Sequence, residues 1–435
     1  RGSDVLIKNK NCLVVEDVIN TGGSVLKVIR KVRELNGNVI GAAALASAVT
    51  IGAFVVQDIL GDDTPWGGVA IASFTTGTAF MSQVLARHMS KRGRRSGLQL
   101  GYFLAACGGL IAAVGVERGW LPVFLIGLFV YGNGQSANLL ARYAATDLAE
   151  EEHRGRAMST VLFASTFGAV LGPILVGPAE HAGEAWFGLN TYTGPWLAGS
   201  AFLFLAMLNT AVRLRPDPLL VARAALGVEI ADSRPTMRAG IAAILRSPQA
   251  RIALMAMVVA QGSMVGVMTM TPVHLRVHGH ESVSQCVISL HIAGMYAFSP
   301  LVGAFSDRRG RVSTIVVGGL ALVGATALAG LSGDVEQLLF PSLWALGIGW
   351  NFALIGGSSL LSESVDPEVR VTAQGSADLL MSLCGGAAGL SAGFVRQAFG
   401  YHVLTSGALF AALVMLIVAS RAREPGPQRT AAALS

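Results

Sequence analysis

Residues 282–311 read Ser-Val-Ser-Gln-Cys-Val-Ile-Ser-Leu-His-Ile-Ala-Gly-Met-Tyr-Ala-Phe-Ser-Pro-Leu-Val-Gly-Ala-Phe-Ser-Asp-Arg-Arg-Gly-Arg. The run 282–306 passes without a Lys, Arg, Asp or Glu, and charges then crowd into 307–311. A bilayer span needs about 20 apolar residues, so this stretch reads as a crossing that ends in a charged turn. The same punctuation recurs along the chain. Uncharged runs occupy 35–57, 66–86, 97–116, 119–141, 157–179, 185–212, 252–273, 282–306, 312–333, 337–362 and 397–420, and 371–395 is broken only by Asp378. Twelve crossings are predicted. Of the 435 residues 52% are hydrophobic and 13% charged, against about 25% charged in soluble chains. A soluble enzyme, a nucleic-acid binder and a secreted disulfide scaffold are thereby excluded. The net charge of +6 points to loops against an anionic membrane surface. Cys12, Cys107, Cys286 and Cys384 lie far apart without metal-ligand spacing, and read as small packing residues. The first eleven residues hold no apolar segment, so no signal peptide is expected in them, and an opening at Arg1 without Met suggests a missing start.

Charge also orients the crossings. Placing the N-terminus in the cytoplasm leaves only Arg118, Arg276 and Arg396 outside, so 29 of the 32 Lys and Arg residues fall inside. Both termini are expected in the cytoplasm. The chain repeats as well. Ala86-Arg-His-Met-Ser-Lys-Arg-Gly-Arg-Arg95 follows the second run as Gly303-Ala-Phe-Ser-Asp-Arg-Arg-Gly-Arg311 follows the eighth, with Gly93 and Gly310 separated by 217 positions. Arg154 and Arg370 lie 216 apart, and Gly132-x-Gly134 precedes Gly347-x-Gly349 by 215. Three pairs at nearly one offset predict two parallel six-helix halves joined by 213–251, a plan common among secondary transporters.

Gly303-x-x-x-Asp307-Arg308-Arg309-Gly310-Arg311 resembles the loop signature of the major facilitator superfamily, with a weaker copy at 86–95, and the resemblance covers about 46–420. It implies two helical bundles rocking about a central site. The loop residues have their own physical reading, with Gly for a close turn and Asp as helix cap and Arg partner. Gly303, Asp307, Arg308, Gly310 and Arg311, with Arg94 and Arg95 of the first copy, are therefore candidates for a cytoplasmic latch; the alternative is that the arginines only set topology. Ala86 and Ser90 replace the Gly and Asp in the first copy, and Asp378 is a candidate substitute carboxylate. Gly168-x-x-x-Gly172-Pro173 in the fifth run resembles part of a signature of the family's drug/proton antiporters, although small residues and a bending Pro also serve ordinary packing. Residues 127–138 hold none of the Arg that such antiporters carry in the fourth span, and Arg142 lies at its cytoplasmic end.

An ionisable group within a span costs about 2.5–3.5 kcal/mol on insertion scales, which makes each a functional suspect. His291, midway along its run, is a proton carrier or a neutral packing residue. Asp58 ends the first run on the outer side, and Asp378 sits near the inner end of the eleventh. Asn133, Gln135, Asn138, Gln261, Trp350 and Asn351 are candidates for cargo contact or for bonds between helices. Met264, Met268 and Met270 add a soft surface. So apolar a lining favours hydrophobic or amphipathic cargo. His274, His278 and His280 beside Glu281 read as a solvated loop rather than a metal site.

The opening segment differs. Cys12-Leu-Val-Val-Glu-Asp-Val-Ile-Asn-Thr-Gly-Gly-Ser24 is an apolar strand, two acids and a small-residue loop, followed by an amphipathic helix with Val25, Ile29 and Val32 on one face. It resembles the phosphoribosyl-diphosphate loop of orotate phosphoribosyltransferases. That resemblance implies Glu16 and Asp17 on ribose hydroxyls and Thr21, Gly22, Gly23 and Ser24 around a 5′-phosphate. Asn20 replaces a usual Thr. A segment of this size lacks the core of an enzyme, so a gene-fusion remnant, a sequence junction or the end of a truncated domain is expected, not catalysis.

The expectation is thus an all-α membrane protein: a phosphoribosyltransferase-like fragment over 1–45, six-helix bundles over 46–212 and 251–420, a central loop over 213–250 and a tail over 421–435. It is expected to be a monomeric, proton-coupled exporter of the bacterial inner membrane, needing no cofactor, with an uptake carrier for a small metabolite, or a membrane-fused phosphoribosyltransferase whose catalytic domain is mostly missing here, as the alternatives.

Overall fold

The computed structural model describes residues 51–424 apart from 53–54, 57, 61–67, 227–235, 278–283 and 334. The phosphoribosyltransferase-like segment and most of the first run lie outside the described residues. Helices α1 (Gly68–Arg92), α2 (Arg94–Glu117), α3 (Leu121–Ala144), α4 (Arg154–Phe187) and α5 (Thr193–Arg213) take the second to sixth crossings. Two short helices, α6 (Pro218–Leu226) and α7 (Met237–Arg246), lie in the central connection. The second half continues with α8 (Pro248–Val277), α9 (Ser284–Tyr296), α10 (Ser299–Arg309), α11 (Arg311–Leu331), α12 (Leu339–Glu363), α13 (Pro367–Phe399) and α14 (Tyr401–Ser420). Among the described residues, ten helical segments are long and apolar enough to cross a membrane.

Helix ends follow backbone chemistry more than charge. The fifth crossing runs past Glu180 and Glu184 and stops at Gly188, whose φ of 61° is left-handed and returns its N–H to the Glu184 carbonyl. The eighth crossing, one uninterrupted run in sequence, is broken between α9 and α10. Pro300 stands in the first turn of α10 and can offer no N–H to an unbroken helix. The histidine cluster is likewise not simply a solvated loop. Because α8 extends to Val277, His274 is carried inward, buried and stacked on Tyr401 at a ring separation of 4.4 Å. His278 and His280 lie outside the described residues.

Two apolar cores result. One gathers Tyr102, Phe124, Tyr131, Tyr143 and Trp196 from α2, α3 and α5. The other gathers Met257, Ile315, Leu343, Leu354 and Met381 from α8, α11, α12 and α13. Equivalent helices pack alike within each half. Ser73 and Thr78 of α1 donate to the Leu125 and Gly132 carbonyls of α3. In the other half Ser299 of α10 donates to Asn351 of α12, and His291 of α9 bonds the Leu343 carbonyl. The halves meet along α1 with α13 and along α4 with α10.

Candidate functional site between the two halves

The two loops that repeat in sequence are single-residue turns. Arg92 ends α1 and Arg94 begins α2; Arg309 ends α10 and Arg311 begins α11. The intervening Gly93 and Gly310 have φ of 89° and 94°, a conformation nearly restricted to glycine. This throws Arg94 and Arg311 onto the first turn of the next helix, each buried. A carboxylate from the end of each half holds the turn. Asp217 accepts from the Arg94 and Arg95 amides at 3.2 and 2.7 Å, and Glu424 from the Arg311 and Ser313 amides at 3.0 and 2.9 Å.

The second loop locks the halves together. Asp307 accepts the Gly155 and Arg156 amides at 2.8 and 2.9 Å, so its charge sits on the N-terminus of α4 in the opposite half. Arg311 donates to Asp307 at 2.7 Å, to Glu363 at 3.0 Å and to the Glu151 carbonyl at 2.6 Å. Gly303 permits the approach, since a Cβ there would lie 2.6 Å from the Gly155 carbonyl oxygen. Arg308 is exposed, and Arg95 turns to the Ala211 carbonyl within its own half.

The first loop makes a different lock. Arg94 grips Asp147 with two bonds of 2.8 and 3.1 Å and reaches Gln374 of α13 at 2.8 Å. The carboxylate that partners this loop is therefore Asp147, not Asp378. Asp378 is completely buried and pairs instead with Arg142, also completely buried, at 2.5 Å. Arg142 further donates to Ser358 across the halves, to the Tyr143 hydroxyl and to the Leu139 carbonyl. The second Asp378 oxygen has no hydrogen-bond partner among the described residues. The hydrogen bonds between the halves cluster at the end bearing the basic turns, so that end is shut.

Other candidates are placed as follows. Trp350 donates its indole N–H to Gln261 at 2.7 Å and meets Tyr296 edge-on at 5.7 Å. Asn133 and Asn351 are buried within helix contacts, and Gln135 and Asn138 are half-buried. His291 Nδ1 bonds the Leu343 carbonyl at 2.8 Å, while its Nε2 has no partner among the described residues. Asp58 is exposed. Gly168, Gly172 and Pro173 lie within α4. Among the described residues no cluster of His, Cys, Asp or Glu could hold a metal.

Asp147, Glu363, Gln374, Asp217 and Glu424 were not singled out by sequence. Asp147 and Glu363 lie 216 positions apart, and Arg94 and Arg311 217, so the two ion pairs are equivalents within the repeat. The caps carried no such signal, being acids in polar connections.

Two repeated helical halves, joined by charged turns and otherwise apolar, define a membrane-embedded secondary transporter. The chain belongs to the Major Facilitator Superfamily, whose family model matches residues 38–389. It is 36% identical over 392 residues to the uncharacterised transporter YdeG of Bacillus subtilis, covering 88% of this chain and 90% of that one. The riboflavin transporter RfnT of Brucella anthropi is 28% identical over 368 residues, covering 84% of this chain and 88% of that one. Among solved structures, the human organic anion transporter MFSD10 superposes with a TM-score of 0.71 at 18% identity, covering 91% of this chain and all of that one. Residues 5–54 match a phosphoribosyl transferase domain. Over 38 residues the chain is 55% identical to an orotate phosphoribosyltransferase of Thermoanaerobacter sp., a fifth of that enzyme's length and 9% of this chain. The two family matches overlap over 38–54, where the enzyme-like segment enters the first apolar run.

Proposed function

We propose that the chain exports a small hydrophobic or amphipathic compound from the bacterial cytoplasm or inner leaflet in exchange for protons, by alternating access, with both termini inside. The supporting observation is the Arg142–Asp378 pair: a completely buried carboxylate, with one oxygen lacking a partner among the described residues and its counter-charge on the opposite half. A buried charge is tolerated while paired, and losing one partner is strongly unfavourable. A proton arriving from the outer side would neutralise Asp378 and weaken its hold on Arg142. The basic end would then open, release the proton to the cytoplasm and admit cargo. Recharging of Asp378 restores the pair and shuts that end again. An apolar path with few fixed charges suits cargo of little charge.

A second reading, uptake of a planar aromatic metabolite, draws on the Tyr296–Trp350 pair with Gln261 and on the likeness to a riboflavin transporter.

The test is purified protein in liposomes, challenged with lipophilic cations, neutral amphiphiles and flavins, with internal pH recorded. Cargo-dependent proton movement is expected. Asp378→Asn should abolish gradient-driven transport while keeping counterflow exchange, and His291→Ala and Asp58→Asn should keep both. Proton movement unchanged in Asp378→Asn would remove that residue from coupling, and transfer of coupling loss to His291→Ala would give the role to His291.

A further inference from the structure

Away from the contact between the halves, a groove of about 670 Å³ runs between α8 and α13. Leu254, Met255 and Val258 line one wall and Leu380, Leu383 and Cys384 the other, and Leu245 of α7 closes one end. Leu245 and Leu383 are 59% and 45% exposed. On helices that cross a bilayer, exposed apolar side chains of this kind meet lipid.

The single charged group lining the groove is Arg251, in the first turn of α8. It is exposed and has no ion pair or side-chain hydrogen bond among the described residues, and no carboxylate lines the groove. Arg246, which ends α7 next to Leu245, is exposed and equally without a carboxylate partner among the described residues. The depth of the groove is fixed by α7. This helix docks on α13 through Gly240, whose Cβ position would lie 2.9 Å from the Thr372 carbonyl, so both stand near the end that carries the basic turns. An apolar slot thus opens beside a cation without a partner among the described residues, at the end that carries the basic turns.

We propose that this groove holds an acyl chain of an anionic phospholipid whose phosphate is bound by Arg251. Charge complementarity selects that occupant. A neutral detergent or a zwitterionic lipid fills the slot but leaves the guanidinium without a net counter-charge, and basic pockets between spans on the cytoplasmic side recur as anionic headgroup sites. Arg is suited to the role because its fork can grip two phosphate oxygens at once. The site rests on the chain crossing a bilayer, and is independent of the direction or coupling of transport. Occupancy would brace α7 against α8 and α13, the helix that carries Gln374 and Asp378.

The experiment follows thermal unfolding of the purified full chain in a neutral maltoside detergent. Added probes are phosphatidylglycerol, phosphatidylcholine of the same chains, and glycerol phosphate as a headgroup without chains. Phosphatidylglycerol is expected to raise the unfolding midpoint, with little change from the other two. More than half of that shift should vanish in Arg251→Gln and in Leu383→Trp, which fills the slot, and persist in Arg238→Gln on the exposed part of α7. Equal shifts with phosphatidylcholine, a shift with glycerol phosphate alone, or a full shift in Arg251→Gln would each overturn the proposal. None of these outcomes bears on proton coupling, so failure here leaves the exporter reading standing.

Discussion

Arg142 and Asp378 are both completely buried and 2.5 Å apart, and they reveal how differently two ionisable residues in a span can be accommodated. His291 is also buried, but its ring is held by the Leu343 carbonyl inside one half, so its bond joins α9 to α12 rather than one half to the other. The Arg142 guanidinium spends its donors on both halves, and its loss or that of its partner strands a charge. Asp378→Leu alone is expected to cost about 3–5 kcal/mol of stability, as for other broken buried pairs, measured by thermal unfolding in detergent. Arg142→Met together with Asp378→Leu should recover most of that loss while leaving coupling abolished. If the single and double variants unfold together, the pair is not a unit. Sequence spacing flagged Asp378 and His291 as costly residues within spans. It put Arg142 among the topology-setting charges because a guanidinium near a helix end reads the same whether it points to water or to a facing carboxylate.

Turns and helix ends carry the next level of the design. Gly93 and Gly310 let one residue reverse the path between two spans, and a side chain at either would be strained by about 1–3 kcal/mol. Gly310→Ala should therefore lower the unfolding temperature and slow exchange between the two access states, with substrate affinity unchanged; unaltered exchange would sink the latch. Asp307 acts through the N-terminus of α4 as well as through Arg311. Asp307→Asn should accordingly speed maleimide labelling of a cysteine placed at Ser159, a residue 1% exposed beside Gly303. Unchanged labelling would mean that the contact does not control opening. The Gly-Asp-Arg pattern of this loop was legible in sequence because its spacing is local. The caps from Asp217 and Glu424 were not, since each acts on a helix more than a hundred positions away. The broken eighth crossing was hidden for another reason: hydropathy is blind to a missing amide, and Pro300 is apolar.

Over the described residues the protein is two bundles held together at one end. If the positive-inside distribution governs insertion, a cysteine replacing Arg246 or Arg423 is shielded from an impermeant maleimide added to intact cells, whereas one replacing Arg118 is labelled. The reverse pattern would invert the transporter and with it the sense of the proposed exchange. By itself the sequence determined the membrane class and the internal repeat, and set the expected number and order of crossings, because uncharged length and charge spacing are properties of contiguous chain. It also marked the opening segment as foreign in character. Only the tertiary structure decided which distant carboxylate serves which arginine: Asp147 for Arg94, Glu363 for Arg311, and Asp378 for Arg142. Those pairings are set where helices 50 to 240 positions apart come into contact. Within an apolar bilayer the physical driving force is the need of each buried charge for a partner, and the fold alone says which partner lies within reach.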